Sequence, residues 1–145
     1  MSCFVEMRSL LGAVVVMVGL GGGCGPAAVR LVPVQGKVTM EGQPLTTGTL
    51  VFKPDAEQGN SQTLEPAANI ETDGSYTLYT TAKEGAPLGW YKVGVVANGP
   101  ANEKDPYAAP KSLIPARYAE VSTSALAVEV VEKPAAGAYD LKLKK

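Results

Sequence analysis

The sequence has no histidine, and its only two cysteines, Cys3 and Cys24, both lie within the first 24 residues. Imidazole is the usual proton carrier near neutral pH, and zinc or copper sites generally use imidazoles or several thiolates. The scarcity of both side chains argues against most metalloenzymes and excludes every catalytic triad that needs histidine. We therefore expect no metal site, no cofactor and no catalytic residue.

An excess of charge of either sign is also missing. The 145 residues include 13 basic and 14 acidic ones, mixed along the chain, which leaves a formal net charge of −1. No basic stripe is available to neutralise phosphates, so nucleic-acid binding is not expected. Hydrophobic residues make up 46% of the chain, which is typical of a folded domain and not of a disordered chain.

The chain lacks an apolar run long enough to span a membrane comfortably, which takes about 20 residues. Its longest run covers residues 10–20 (LLGAVVVMVGL), follows a short polar segment with Arg8, and has the length of a signal-peptide core. Three glycines and Cys24 come next, and glycine keeps the backbone accessible to a peptidase. This arrangement predicts a signal peptide in residues 1–23.

A small-residue segment that ends in a cysteine resembles the lipobox of bacterial lipoproteins, with Leu20 one place further back than the usual aliphatic residue. The resemblance implies that Cys24 carries acyl groups such as palmitate and becomes the first residue of the mature protein. Residues 24–31 would form a tether, and the protein would be anchored to a membrane on its periplasmic side or at the cell surface. Two alternatives remain open at this point: ordinary signal cleavage near Ala27 or Ala28, and an uncleaved anchor.

From Val32 onward, short β-like runs alternate with turn residues, and no helical period stands out. Apolar residues of one parity predict seven strands, each with one buried face, and Asp73-Gly74 predicts a tight hairpin turn. The residues expected to face the core are Val32, Val34, Val38 and Met40; Leu50 and Phe52; Tyr76, Leu78 and Thr80; Tyr91, Val93, Val95 and Ala97; Leu126, Val128 and Val130; and Tyr139, Leu141 and Leu143. The remaining strand is expected over residues 69–72. This pattern predicts an antiparallel β-sandwich in residues 32–145.

Several motifs occur in the order and spacing of a known family. They are V-x-G-K-V-T at residues 34–39, G-Q-P-L at 42–45, V-F-K-P at 51–54, T-D-G-S-Y-T-L at 72–78, G-A-P-L-G-W-Y-K-V at 85–93 and I-P-A-R-Y at 114–118. Together they resemble carboxypeptidase-regulatory-like (transthyretin-like) domains, and in particular the small lipoproteins of this type in planctomycete bacteria. The resemblance implies a seven-stranded Greek-key β-sandwich. The enzymatic relatives of this fold depend on histidines or on a separate zinc domain, neither of which is found in this chain.

The remaining candidates for chemistry have ordinary structural explanations. Glu65, Glu71, Asp73 and Glu84 could form a carboxylate pair for glycoside hydrolysis, but they lie in or beside predicted turns, where acidic residues commonly serve solvation and turn formation. Asp73 and Glu71 lack the spacing of a calcium-binding loop. The sequence therefore predicts a protein that is not an enzyme.

Four residues form the most interesting set, as a predicted contact with a ligand or a protein partner: Trp90, Tyr107, Arg117 and Tyr118. Three of them belong to the long connection 98–118, and aromatic rings beside an arginine suit stacking on a sugar or anchoring a partner. The alternative is packing, in which Trp90 lies under the loop while Arg117 and Tyr118 pin it to the sandwich.

These observations predict a lipid-anchored, non-enzymatic envelope protein that acts as a structural or binding module. Its first expected partner is the membrane, through N-terminal acyl groups. The alternative is a carbohydrate-binding module of the cell surface that uses the 98–118 loop.

Overall fold

The computed structural model describes residues 28–145. The predicted signal peptide, Cys24 and the first half of the predicted tether lie outside these residues. Within the described part of the chain, no helix is both long and apolar enough to cross a membrane.

The described chain is built from short strands and two turns of 3-10 helix. The strands are β1 (Leu31–Val32), β2 (Gln35–Met40), β3 (Gln43–Pro44), β4 (Thr49–Pro54), β5 (Ala67–Asn69), β6 (Ser75–Thr77), β7 (Tyr79–Thr80), β8 (Lys83–Glu84), β9 (Ala86–Pro87), β10 (Gly89–Val96), β11 (Ala127–Val130) and β12 (Leu141–Leu143). The 3-10 turns are Ala56–Gln58 and Ala116–Tyr118. The predicted all-β fold is confirmed.

The strands form two main sheets and one small ribbon. The larger sheet has the antiparallel order β11-β10-β4-β5-β7-β8, and the smaller one has the order β12-β2-β3, with β6 also paired to β2. Strand β1 pairs with β9. Strand β10 is the longest and carries both β4 and β11 as antiparallel neighbours, so it organises the larger sheet.

One stretch of chain, β6 and β7 together, connects the two sheets. Its first half pairs with β2, with Gly36 opposite Tyr76, and its second half pairs with β5, with Ala67 opposite Tyr79. A bridge between Ile70 and Tyr76 continues the hairpin with β5. The Asp73-Gly74 turn predicted from the sequence closes this hairpin, with Gly74 at a φ of +83°.

The core consists of the inward-facing residues of both sheets, and the predicted parity is confirmed. Every residue expected on the buried faces is buried, except Met40 and Leu126, which are half-buried and pack against the core. Phe52 lies against both Tyr76 and Tyr91, with ring centroids 6.3 and 5.9 Å apart in tilted arrangements. Such tilted aromatic contacts add stabilisation to the burial of the rings.

Two details differ from the sequence-based expectations. Strand β12 runs parallel to β2, with Leu141 opposite Val38, whereas the sequence pattern predicts antiparallel strands. The strand expected over residues 69–72 lies at Ala67–Asn69, since residues 71–74 are used by the turn, where the Gly74 amide donates to the Glu71 carbonyl.

The centre of the smaller sheet is crowded around Gly36. The hydroxyl of Tyr76 donates a hydrogen bond to the carbonyl of Tyr139, and both atoms lie against the position that a Cβ of residue 36 would occupy. Burial, followed by the nearby carboxylate of Asp140, raises the pKa of Tyr76, so the phenol stays protonated in the fold. A side chain at position 36 would therefore have to displace backbone.

We predict that Gly36→Ala lowers the free energy of unfolding by about 1–3 kcal/mol, the usual cost of overpacking a filled core. The reason is that its Cβ would overlap the Tyr139 carbonyl. Gly99→Ala is the matched control, since its Cβ would meet only Leu113 and Lys111, at 3.4 and 3.5 Å. Chemical denaturation measures both variants, and equal stability of the two would contradict the prediction.

Candidate functional site

Arg117 and Tyr118, two of the predicted contact residues, are joined to the last strand. The hydroxyl of Tyr118 donates to the carbonyl of Lys144 at 3.0 Å and accepts from the amide of Lys144 at 2.9 Å. Arg117 donates to the same carbonyl at 2.6 Å and to the Tyr118 hydroxyl at 3.2 Å. These hydrogen bonds attach the end of the 98–118 connection to the residue that directly follows β12 of the smaller sheet.

The same contacts set the electrostatics of this corner. The Arg117 guanidinium carbon lies 4.9 Å from the centroid of the Tyr118 ring, within cation–π range. The hydrogen bond from Arg117, followed by that from the Lys144 backbone, lowers the pKa of Tyr118. Because Tyr118 is buried, its ring offers no open face to a ligand.

The other two predicted contact residues lie elsewhere. Trp90 is on the outer face of β10, opposite Glu129, and is 36% exposed. Its carbonyl accepts from the Asn60 side chain at 2.8 Å, which holds the 55–68 connection. Tyr107 is 98% exposed in the 98–118 connection. The structure therefore brings Arg117 and Tyr118 together but leaves the four residues without a common pocket.

Among the carboxylates weighed for catalysis or calcium, Glu71 and Asp73 belong to one hairpin turn. Asp73 accepts hydrogen bonds from the hydroxyl and the amide of Ser75, at 2.5 and 2.9 Å, and these bonds lower its pKa. Asp73 thus acts as a turn residue. In residues 28–145 no three side chains among His, Cys, Asp and Glu are placed to hold a metal ion.

On the outer face of the larger sheet, residues 119–121 pack closely against Gly94 of β10. Gly94 faces outward on β10, and a Cβ there would lie 3.2 Å from Val121 and 3.4 Å from the Ala119 carbonyl. The absence of a side chain lets residues 119–121 rest on the sheet. That segment forms a wall along one side of the face.

A shallow groove crosses β7, β5 and β4 on the outer face of the larger sheet, and we call it the outer furrow. It encloses about 320 Å³ and is lined by Thr49, Ala67, Ala68, Asn69, Glu71, Thr77 and Tyr79. A second hollow of about 400 Å³ shares Thr49 and Asn69 with it and extends toward Val96 on β10. The Tyr79 ring, 48% exposed, stands at one end.

The polar side chains of the outer furrow are not used by the fold. Within the described residues, no hydrogen bond joins the side chain of Thr49, Asn69, Glu71, Thr77 or Tyr79 to another protein group. The sequence pattern does not mark these side chains as a site, although it holds one signal for Tyr79. Tyr76, Leu78 and Thr80 face inward, so the parity of their strand places Tyr79 on the outer face.

Comparisons of the chain with protein-family models, with curated proteins and with solved structures find no match. The resemblance to carboxypeptidase-regulatory-like domains therefore stays a prediction. The all-β fold is an observation of the structure and does not depend on it.

We predict that Tyr118→Phe lowers the free energy of unfolding by about 1 kcal/mol, because the Lys144 amide loses its bond to the hydroxyl and the Lys144 carbonyl keeps only the bond from Arg117. Tyr107→Phe is the control, since its ring is almost fully exposed. Thermal unfolding of both variants is the measurement. A Tyr118→Phe protein as stable as wild type would show that the hydroxyl does not hold the loop.

Proposed function

We propose that this chain is a lipid-anchored, non-enzymatic protein of the bacterial envelope, whose β-sandwich serves as a structural or binding module. One observation carries the proposal: Cys24 directly follows a short apolar run and three glycines, which resembles a lipobox whose aliphatic residue, Leu20, lies one place further back than usual. Several acyl chains on one residue provide stable anchoring, since each buried CH₂ contributes about 0.8 kcal/mol.

The beginning of the described chain supports this proposal. Ala28 is four residues after Cys24, and four extended residues span at most about 14 Å. An acylated Cys24 would therefore hold this end of the sandwich close to the bilayer. Two exposed apolar side chains lie there: Val29, which is 43% exposed, and Leu88, which is 40% exposed and follows the β1–β9 ribbon.

Cys24→Ser is predicted to abolish labelling by an alkyne analogue of palmitate, because the acceptor thiol is removed. Cys3→Ser is the matched control and should be labelled like wild type, since Cys3 would leave with the signal peptide. Intact mass of the wild-type protein from native membranes should correspond to residues 24–145 plus acyl groups. A mass that begins at Ala28 or Val29 without lipid, or a labelled Cys24→Ser protein, would refute the proposal.

A second candidate is a carbohydrate-binding module of the cell surface that uses the 98–118 connection. The observation that favours it is the exposure of Tyr107, whose ring lies almost entirely in solvent. A freely exposed aromatic ring is able to stack on the apolar face of a sugar. Loss of glycan binding in Tyr107→Ala, with binding retained in Tyr107→Phe, would support this function, and unchanged binding in Tyr107→Ala would contradict it.

A further inference from the structure

We infer that the outer furrow binds an uncharged oligosaccharide, with the Tyr79 ring as the stacking platform. The inference rests on the proposed function as a binding module and names the class of its ligand. It places the ligand on the outer face of the larger sheet, on a set of residues that includes none of Trp90, Tyr107, Arg117 and Tyr118.

The side chains that line the furrow offer the two kinds of contact that a sugar makes. One face of a sugar ring carries C–H groups and is apolar, while its edge carries hydroxyls that both donate and accept hydrogen bonds. Tyr79 presents a half-exposed ring, and its cross-strand neighbour Ala67 is too small to cover that ring. The carboxylate of Glu71, the amide of Asn69 and the hydroxyl of Thr49 supply acceptors and donors beside it.

Four polar side chains elsewhere in the fold serve to hold its loops and turns. Asp55, Asn60, Asp73 and Asp140 each accept a hydrogen bond from a backbone amide and so hold a loop or turn. The polar side chains of the outer furrow make no such bonds within the described residues. Their hydrogen-bonding capacity is therefore available to a ligand that replaces water.

The size and the charge of the outer furrow also fit a neutral oligosaccharide. A volume of about 320 Å³ is at the lower end of the range for small-ligand sites. The adjoining hollow extends the furrow from Tyr79 to Val96, across four neighbouring strands, or about 14 Å at the usual strand spacing. This length exceeds one sugar ring. Among the described residues that line the furrow, Glu71 alone is charged, so a neutral saccharide suits the furrow better than one with carboxylate or sulfate groups.

The test uses the full-length protein purified from membranes in detergent. The probes are dextran, laminarin, mannan and xylan on an array, with alginate as the acidic comparator. Isothermal titration calorimetry then follows oligosaccharides of two to six units from the polysaccharide that binds. We expect binding to at least one neutral polysaccharide, tighter binding of longer oligosaccharides, and weaker binding of alginate.

Tyr79→Ala is expected to weaken binding about tenfold or more, because the stacking surface is removed, whereas Tyr79→Phe keeps the ring and should bind nearly as wild type. Asn69→Ala should weaken binding by a smaller factor. Lys142→Ala is the control, since Lys142 is exposed on β12 of the smaller sheet and does not line the furrow, and it should bind as wild type. Unchanged thermal unfolding of Tyr79→Ala would confirm that the loss is local, as its half-exposed position leads us to expect.

Three results would overturn the inference: no binding to any of the four neutral polysaccharides, unchanged binding in Tyr79→Ala, or binding lost in Tyr107→Ala but not in Tyr79→Ala. None of these bears on the lipid anchor. We expect the Cys24→Ser protein to bind glycan although it is not acylated, which would show that the two functions are separate. A wild-type protein without lipid would refute the anchor and leave the glycan site standing.

Discussion

The structure depends on one stretch of chain, residues 75–80, which pairs with strands of both sheets. Its first half is hydrogen-bonded to β2 and its second half to β5 and β8, so the two sheets share a continuous piece of backbone. Because strand side chains alternate, the same stretch directs Tyr76, Leu78 and Thr80 into the core and Tyr79 to the outer face. Alternate side chains of the same stretch therefore line the core and the outer furrow.

Around this stretch, the fold separates polar groups that hold structure from polar groups that face solvent. In residues 28–145 every buried side-chain nitrogen or oxygen has a hydrogen-bond partner. Tyr118, which looks from the sequence like a contact residue, belongs to the first group because its hydroxyl satisfies both backbone groups of Lys144. Satisfied buried polar groups stabilise one arrangement, since breaking such a bond leaves a costly unpaired group. The free groups of the outer furrow belong to the second.

The two proposed functions use different parts of the chain and support each other physically. Acyl groups on Cys24 would confine the sandwich to a layer near the bilayer, and the first strand begins only seven residues later. Confinement raises the effective concentration of a binding site toward polymers in the same layer, so a weak site can be sufficient. A shallow furrow with one aromatic ring is a site of that kind.

The sequence by itself determined the fold class, the faces of the strands and the Asp73-Gly74 turn, because alternation and turn chemistry are local and need no knowledge of pairing. It also carried the lipobox-like segment around Cys24, which remains a prediction. Only the tertiary structure decided the parallel pairing of β12 with β2. It also decided the positions of the four predicted contact residues, which are Trp90, Tyr107, Arg117 and Tyr118. Finally, it brought together the lining residues Thr49, Asn69, Glu71 and Tyr79. These depend on strand order and register, which join residues far apart in the chain and leave no periodic trace in the sequence.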